Sequence, residues 1–238
     1  MAEIKKILIA NRGEIVQRAI RTIKEMGKKS VAVYSVGDKN ASYLKHADEA
    51  VCIGGAKSSE SYLNIPALIT AAEMTGCDAI FPGYGFLSEN QDFVEICKLH
   101  NIKFIGPSSE VMEKMADKSK AKEEMVKAGV PVVPGSKGAV RTLDEGKKIA
   151  REIGYPIMAK ASAGGGGRGM RLIKEEKDFD AQYLAASSEA LAAFGDGTMY
   201  LERFINNPRH IEVQVIGDSH GNAIHIGERD CSLQRRHQ

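Results

Sequence analysis

The chain has 238 residues, of which 43% are hydrophobic and 27% charged, with a formal net charge of +2. This near-balanced charge gives no support for a nucleic-acid or membrane partner, and no window reaches the ~18 apolar residues that a membrane span needs. The four cysteines lie far apart without a C-x-x-C pair. That spacing favours reduced thiols in a cytoplasmic protein over a zinc site or a disulfide framework.

The first hundred residues alternate short apolar runs with segments of helical periodicity, a pattern that predicts a Rossmann-like α/β domain with a parallel sheet. The predicted strands are 6–10, 30–34, 50–53, 79–81 and 103–105, and the predicted helices are 14–26, 65–74 and 92–100. The first turn, Asn11-Arg12-Gly13-Glu14, lacks the G-x-G-x-x-G pattern. A nicotinamide cofactor is therefore not expected there.

A domain boundary is predicted near residue 130, where a basic amphipathic helix over 118–128 is followed by a turn-rich joint at 131–138. Beyond it an α+β domain is predicted. Its helices are 143–153 and 178–193, and its strands are 156–160, 169–173, 198–204, 211–216 and 223–227. Residues 88–91 and 142–145 each fit the capping box of a helix start.

The most informative segment is residues 160–170, which read Lys-Ala-Ser-Ala-Gly-Gly-Gly-Gly-Arg-Gly-Met. Consecutive glycines between a lysine and an arginine offer bare backbone N–H groups that suit a polyphosphate. The alternative is a flexible linker, which normally contains serines and lacks apolar flanks. Apolar strands on both sides favour a phosphate-binding loop at the tip of a hairpin.

Other polar segments admit two interpretations each. Residues 228–238, with Arg235 and Arg236 beside Gln234 and His237, suit an oxyanion or a solvated basic tail equally well. Residues 82–90 follow the fourth strand, where ligands bind in doubly wound sheets, but on residue type alone the two glycines there favour a sharp turn.

The isolated charged residues give weaker signals. On residue type alone Lys118 is a solvated helix lysine, His210 is a structural histidine, and Glu202 with Arg203 is a strand charge pair.

Taken together, these segments resemble the biotin carboxylase component of biotin-dependent carboxylases such as acetyl-CoA carboxylase and pyruvate carboxylase, within the ATP-grasp superfamily. The matching segments occur in the family's order and spread over the whole chain; they are residues 9–15, 82–90, 115–118, 160–170, 207–210 and 228–238. The resemblance implies a Rossmann-like amino-terminal domain over 1–130, an ATP-grasp lid over 131–204, and the start of a truncated second grasp domain over 205–238.

The resemblance also implies a reaction. ATP and bicarbonate give carboxyphosphate, which carboxylates biotin held on a carrier protein as the first half-reaction of the carboxylase, a step of fatty acid biosynthesis in the acetyl-CoA enzymes. The implied cofactors and substrates are ATP, Mg²⁺ or Mn²⁺, bicarbonate and carrier-bound biotin. The implied partners are a biotin carboxyl carrier protein, a carboxyltransferase and a second copy in a homodimer.

Site residues follow from the same resemblance. Lys118 and Lys160 would bind the ATP phosphates, under a lid that contains Gly165, Gly166 and Gly167. Glu202 would accept a hydrogen bond from the adenine amino group, and backbone groups near Arg203 and Ile205 would recognise the ring. The residues expected to line the nucleotide region are His210, Gln234 and His237, with Arg235 and Arg236 shaping it.

In the family a lysine follows the position of Gln238, and the metal ligands and catalytic residues lie further along. No catalytic or metal-binding residue is therefore expected within this chain, which is expected to be an amino-terminal part with little activity alone. Two alternatives stay open. One is another ATP-grasp ligase, such as a carbamoyl phosphate synthetase, and the other is a non-catalytic module for nucleotide binding or dimerisation.

Overall fold

The computed structural model describes residues 3–116, 118–162 and 169–233. Within it the chain divides into two compact units, Met1–Lys127 and Ala128–Gln238. Among the described residues, no helix has the length and apolar character to cross a membrane.

The first unit is built on a five-stranded parallel sheet in the order β3-β2-β1-β4-β5. Its strands are β1 (Lys6–Ile9), β2 (Lys29–Tyr34), β3 (Glu49–Cys52), β4 (Ala79–Phe81) and β5 (Lys103–Phe104). Its helices are α1 (Glu14–Glu25), α2 (Ile65–Met74), α3 (Gln91–Leu99), α4 (Ser109–Ala116) and α5 (Lys118–Lys127). The strand order reverses at β1, as in doubly wound folds, so the predicted Rossmann-like sheet is confirmed.

Helices cover both faces of this sheet, and α1, α2 and α3 each carry a buried apolar stripe. In α1 the spacing of Val16, Ile20 and Ile23 places all three on one side, where they pack in the core of one face. The core of the other face takes residues of α2 and α3, including Leu68 and Phe93, both fully buried.

Two local predictions for this unit need correction. The helix that contains Phe93 is capped by Asn90, whose side chain accepts the Phe93 N–H at 2.8 Å, so the capping box at 88–91 is wrong. The helix α4 was not predicted at all. Among its described side chains, Met112 is the one that is buried in the core, so the sequence shows little helical periodicity there.

The second unit contains a three-stranded antiparallel sheet in the order β7-β6-β8 and a separate two-stranded hairpin. The strands are β6 (Ile157–Ala161), β7 (Met170–Ile173), β8 (Met199–Arg203), β9 (Ile211–Gly217) and β10 (Ala223–Asp230), and the helices are α6 (Leu143–Ile153) and α7 (Phe179–Phe194). Helix α6 begins as predicted, with Thr142 accepting the Glu145 N–H at 3.3 Å.

Residues 131–138 were predicted to form a turn-rich joint. In the structure, part of this segment is extended and pairs with the free edge of β8. Ser136 N donates to Leu201 O at 2.7 Å, and Val140 N donates to Met199 O at 2.6 Å. Its prolines and glycines suggested turns, but pairing with a strand edge depends on tertiary context that the local sequence does not show.

Candidate functional site

The open face of the three-stranded sheet carries two of the predicted site residues. Successive side chains of a strand alternate between its faces. In β6 and β8 the residues Ile157, Ala159, Met199 and Leu201 are fully buried in the core formed with α6 and α7. Their neighbours therefore lie on the other face, which the two helices do not cover. The residues on this face are Met158, Lys160, Tyr200 and Glu202.

Lys160 and Glu202 form an ion pair on this face, with Lys160 Nζ donating to Glu202 Oε1. The strand register accounts for the contact, since Lys160 lies opposite Tyr200 while Glu202 lies opposite Met158. The two residues are thus diagonal neighbours, close enough for long side chains to meet. The Lys160 side chain is 37% exposed and that of Glu202 is 24% exposed, so both are partly shielded from water.

Met158 and Tyr200 share this open face but were absent from the sequence-based site. The signal that could have found them is the alternation of strand residues, which places every second residue beside Lys160 and Glu202. The face therefore combines one cation, one carboxylate and apolar or aromatic surface. That combination can hold a planar base together with a negatively charged group.

The side chain of Arg203 points to the helical side and closes the end of α6. Its Nε and Nη2 donate to Ile153 O at 3.1 and 2.5 Å. The Arg203 N–H donates to Pro134 O and the Phe204 N–H to Pro156 O, so these two groups serve the fold. Within the described part of the chain, the backbone of Ile205 forms no hydrogen bond. Of the backbone N–H groups named here, that of Ile205 is therefore the one without an acceptor among the described residues.

His210 directly precedes β9, and its backbone is hydrogen-bonded to the two residues that follow β10. Its N–H donates to Ser232 Oγ at 2.9 Å, and its carbonyl accepts the Cys231 N–H at 2.7 Å. The adjacent Arg209 pairs with Asp230 at 2.7 Å. Hydrogen bonds from Ser232 and from the Arg209 guanidinium lower the pKa of Asp230 to about 2.

Several predicted residues cannot be placed. The lid glycines Gly165, Gly166 and Gly167, and the carboxyl-terminal Gln234 and His237, lie outside the described residues. Lys118 is the first residue of α5 in the first unit, and its side chain is likewise outside the described part. The strands that flank the glycine run do pair antiparallel, with Lys160 opposite Met170, so the predicted hairpin is confirmed.

The loop after β4 is fixed by Asn11, which is 2% exposed at the end of β1. Its Nδ2 donates to Pro82 O and to Tyr84 O, both at 2.8 Å. Gly83 has a φ of +66°, and a Cβ at that position would lie 3.0 Å from Asn11 Nδ2. The tight turn therefore explains this glycine without a ligand. Tyr84 is exposed, and its hydroxyl donates to Glu14 at 2.5 Å.

The first unit also contains an open cavity of about 560 Å³ that includes none of the predicted site residues. Charged residues of both signs line it, among them Arg12, Glu14 and Asp38. The Arg12 guanidinium lies 5.6 Å from the centre of the Tyr62 ring and 3.5 Å from Asp38. Because its carboxylates outnumber its arginine, we do not place the nucleotide site in this cavity.

Comparison with known families gives two matches that together span most of the chain. The family described as "Biotin carboxylase, N-terminal domain" matches residues 3–112, and "Carbamoyl-phosphate synthase L chain, ATP binding domain" matches residues 117–238. Among curated proteins, the biotin carboxylase of Nostoc is 58% identical over 233 residues, which cover 98% of this chain and 52% of the relative. The chloroplastic biotin carboxylase of Arabidopsis thaliana is also 58% identical, over 98% of this chain and 43% of its own length.

Solved structures give the same result. A biotin carboxylase complex from Campylobacter jejuni is 70% identical, with a TM-score of 0.86 over 99% of this chain and 53% of that one. The biotin carboxylase domain dimer of 2-oxoglutarate carboxylase from Hydrogenobacter thermophilus, in complex with MgADP, ADP and bicarbonate, is 50% identical. Its TM-score is 0.83 over all of this chain and 52% of that one. The chain thus spans about half the length of the curated relatives that it matches.

Proposed function

The chain belongs to the biotin carboxylase family of ATP-grasp proteins, and from that premise we propose that it forms part of an ATP-dependent ligase. In the proposed reaction ATP and bicarbonate give carboxyphosphate, which carboxylates biotin on a carrier protein. This is the first half-reaction of acetyl-CoA carboxylase or a related carboxylase. The support is the presence of both family matches in one chain and the 50–70% identity to solved biotin carboxylases.

The observation that carries the proposal is the side-by-side placement of Lys160 and Glu202 on the open face of the sheet. A nucleotide needs a cation for its phosphates and an acceptor for its adenine amino group. Lys160 supplies the first and Glu202 the second. Met158 and Tyr200 offer surface for the ring, and the Ile205 N–H is a donor for a ring nitrogen.

The lid glycines and the residues His210, Gln234 and His237 complete the proposed nucleotide site. Carboxyphosphate hydrolyses readily, so a lid that excludes water over the phosphates protects the intermediate. The cationic groups lower the repulsion between two anionic substrates and stabilise charge on the transferred phosphoryl group.

Magnesium, or manganese in its place, is proposed as the partner of the nucleotide. Bound together with the nucleotide, a divalent ion would neutralise part of the negative charge on the phosphates. Among the described residues, no group of three or more His, Cys, Asp and Glu could hold a metal ion. We derive no step through the ion.

The proposed partners are a biotin carboxyl carrier protein, a carboxyltransferase and a second copy of the chain. A cytoplasmic location is proposed as well. The final acceptor of the carboxyl group is set by the carboxyltransferase, so it is left unassigned between acetyl-CoA, propionyl-CoA and pyruvate.

A second candidate is a carbamoyl-phosphate-synthase-like ligase, which the family match over 117–238 favours. It shares the nucleotide site but uses a nitrogen donor in place of biotin. If biotin stimulates ATP cleavage by a full-length relative carrying this chain's sequence, that candidate is excluded. If ammonia stimulates it and biotin does not, the candidate replaces our first choice.

The direct test is titration of the chain with MgADP by calorimetry. We expect binding in the wild type, and at least about a tenfold loss in Lys160→Met, since a charged contact to phosphate is removed. The matched control is Lys147→Met, which breaks the surface pair of Lys147 with Asp180 between α6 and α7 and should leave binding unchanged. Equal affinity in all three proteins would contradict the proposed site.

Turnover provides a second measurement. We expect the chain alone to show little or no bicarbonate- and biotin-dependent ATP cleavage while it retains nucleotide binding. Full activity of this chain alone would refute the expectation of a partial site. Binding without turnover would leave the non-catalytic module as the description of the chain by itself.

A further inference from the structure

We infer that the outer face of α7 is a self-association surface, on which a second copy of the chain packs its own α7 in antiparallel orientation. The contact lies within the second unit and does not rest on the proposed nucleotide site. It is carried by one helix face that is exposed and uncharged along its whole length.

Six exposed residues of α7 recur at helical spacing along one face over about three turns. They are Ala181, Leu184, Ala185, Ser188, Leu191 and Ala192. None of the six carries a charge, and the two leucines are 53% and 58% exposed. The two carboxylates of the helix lie at the flanks of this face and pair within the unit, Asp180 with Lys147 at 2.7 Å and Glu189 with Arg171 at 2.8 Å.

The neighbouring helix α6 provides the comparison within the same unit. Each of its exposed residues is charged; they are Asp144, Glu145, Lys148, Arg151 and Glu152. Both helices pack against the same sheet through residues of one core. A charged outer face is typical of a helix that faces water, whereas an exposed apolar face is stabilised when another surface covers it. The contrast therefore favours a covered face for α7.

The pattern of large and small residues fits a second copy of the same helix. Leu184 and Leu191 are seven residues apart, as are Ala181 and Ser188, so the four form one seam of alternating large and small side chains. In an antiparallel pair, Leu184 of one copy lies opposite Ser188 of the other, and Leu191 lies opposite Ala181. Each leucine thus meets a small residue, and the two helices can approach closely.

A parallel pair lacks this fit. It places Leu184 against Leu184 and Ser188 against Ser188, so that large residues meet large ones and small residues leave gaps. The antiparallel pair has a two-fold axis, and both copies use the same surface, as expected of a homodimer.

The size of the face determines the strength of the contact. Six side chains of this kind expose on the order of 400 Å² per copy, so two helices bury on the order of 800 Å² in total. Stable dimers bury at least about 1,200 Å². The expected complex is therefore a weak, reversible dimer with a dissociation constant on the order of 100 µM.

The first test is sedimentation equilibrium of the full chain up to about 500 µM, a few times the expected dissociation constant. Leu184→Glu introduces two carboxylates into the contact, one from each copy, and should weaken dimerisation at least about tenfold. The matched control is Leu99→Glu, the same change at a leucine of α3 that is 78% exposed, which should leave the dimer unchanged. Because both leucines are exposed, both variants should fold, as circular dichroism verifies.

The second test is site-specific crosslinking in a Cys52→Ser background, because Cys52 is exposed and the other three cysteines are buried. In the antiparallel pair the two copies of Ser188 are about one helical turn apart along the seam. Ser188→Cys should therefore form a crosslinked dimer with a short bis-maleimide. The control is Glu152→Cys on the charged face of α6, which should remain monomeric.

Three results would overturn the inference. One is a chain that stays monomeric over the whole concentration range. Another is a dimer that Leu184→Glu leaves intact, since it would use a different surface. The third is equal crosslinking of Ser188→Cys and Glu152→Cys, which would indicate random collision. None of them bears on MgADP binding, so the nucleotide site is tested separately.

Discussion

The three-stranded sheet and the β9–β10 hairpin make opposite use of similar strand residues. Both are antiparallel and contain isoleucine, valine or leucine at regular intervals. In the sheet, Ile157 and Leu201 are fully buried beneath α6 and α7. In the hairpin, Val215, Ile224 and Ile226 are between 59% and 63% exposed. The difference shows that an apolar strand pattern yields a stable core only when a helix or another sheet covers it.

Polar contacts take the place of burial in the hairpin. Arg229 pairs with Glu212 at 2.6 Å and Arg209 pairs with Asp230 at 2.7 Å across the two strands. The turn is held by Asp218, which accepts hydrogen bonds from His220 and Asn222. Such exposed contacts are individually weak, so the hairpin should open well before the two helix-covered sheets unfold.

The largest effect is expected where burial is complete. Ile157→Ala removes a fully buried side chain from the central strand of the sheet and leaves a cavity against α7. We expect a loss of about 2–5 kcal/mol in the free energy of unfolding of the second unit, measured by urea denaturation. A loss below about 1 kcal/mol would mean that the sheet is no better packed than the hairpin.

A polar anchor in the parallel sheet should have a smaller and pH-dependent effect. Asp48 Oδ2 accepts the Ser30 N–H at 2.9 Å and the Ser30 hydroxyl at 2.8 Å. These bonds lower the pKa of Asp48 from the usual 3.8 to about 2. Because the folded-state pKa is the lower one, its stabilisation is present above pH ~4 and is lost as the pH falls towards 2.

We therefore expect Asp48→Asn to cost about 1 kcal/mol at pH 7 and much less at pH 2.5, measured by denaturation at both values. Asn retains an oxygen that can accept hydrogen bonds. The difference in unfolding free energy between the wild type and Asp48→Asn therefore measures the contribution of the negative charge. A cost that is equal at the two pH values would contradict this account of Asp48.

A substitution in the turn of the β9–β10 hairpin should affect only the hairpin. Asp218→Ala removes the acceptor for the His220 and Asn222 N–H groups. We expect the amides of β9 and β10 to exchange with solvent about threefold to tenfold faster, while the protection of β6 and β8 is unchanged. Parallel loss of protection in both regions would show that they unfold together and would remove the contrast between them.

The smallest effect is expected from the matched counterpart of the first variant. Ile224→Ala makes the same chemical change as Ile157→Ala, at a side chain that is 62% exposed. We expect a change below about 0.5 kcal/mol in the free energy of unfolding. A loss comparable to that of Ile157→Ala would show that something covers the hairpin in solution.

Most of the fold was predictable because its elements carry local signals. The five parallel strands and α1 to α3 follow from apolar runs and helical periodicity. The start of α6 follows from Thr142 and its position before an amphipathic segment. The pairing of residues 134–140 with β8 was not predictable, since a strand edge accepts an extended segment for reasons outside that segment's own sequence.

The site was predictable only in part. The glycine run indicates a phosphate loop from residue type alone, whereas Glu202 and His210 entered through the resemblance. Neither source predicts that Lys160 and Glu202 contact each other, because the contact depends on the register of β6 against β8. Register is a property of two strands and a turn together, so it appears only in the structure.

The buried amide of Asn11 has a consequence for how this chain tolerates change. It joins the end of β1 to the backbone on both sides of Gly83, and a Cβ at position 83 would be 3.0 Å from Asn11 Nδ2 and 3.2 Å from Ile15 Cγ1. Positions 11 and 83 therefore form one mutational unit despite a separation of 72 residues in sequence. A variant library that randomises either position alone should return the wild-type residue, and at position 83 glycine should persist even when position 11 changes, because its φ is +66° and Ile15 Cγ1 lies 3.2 Å from the site of a Cβ.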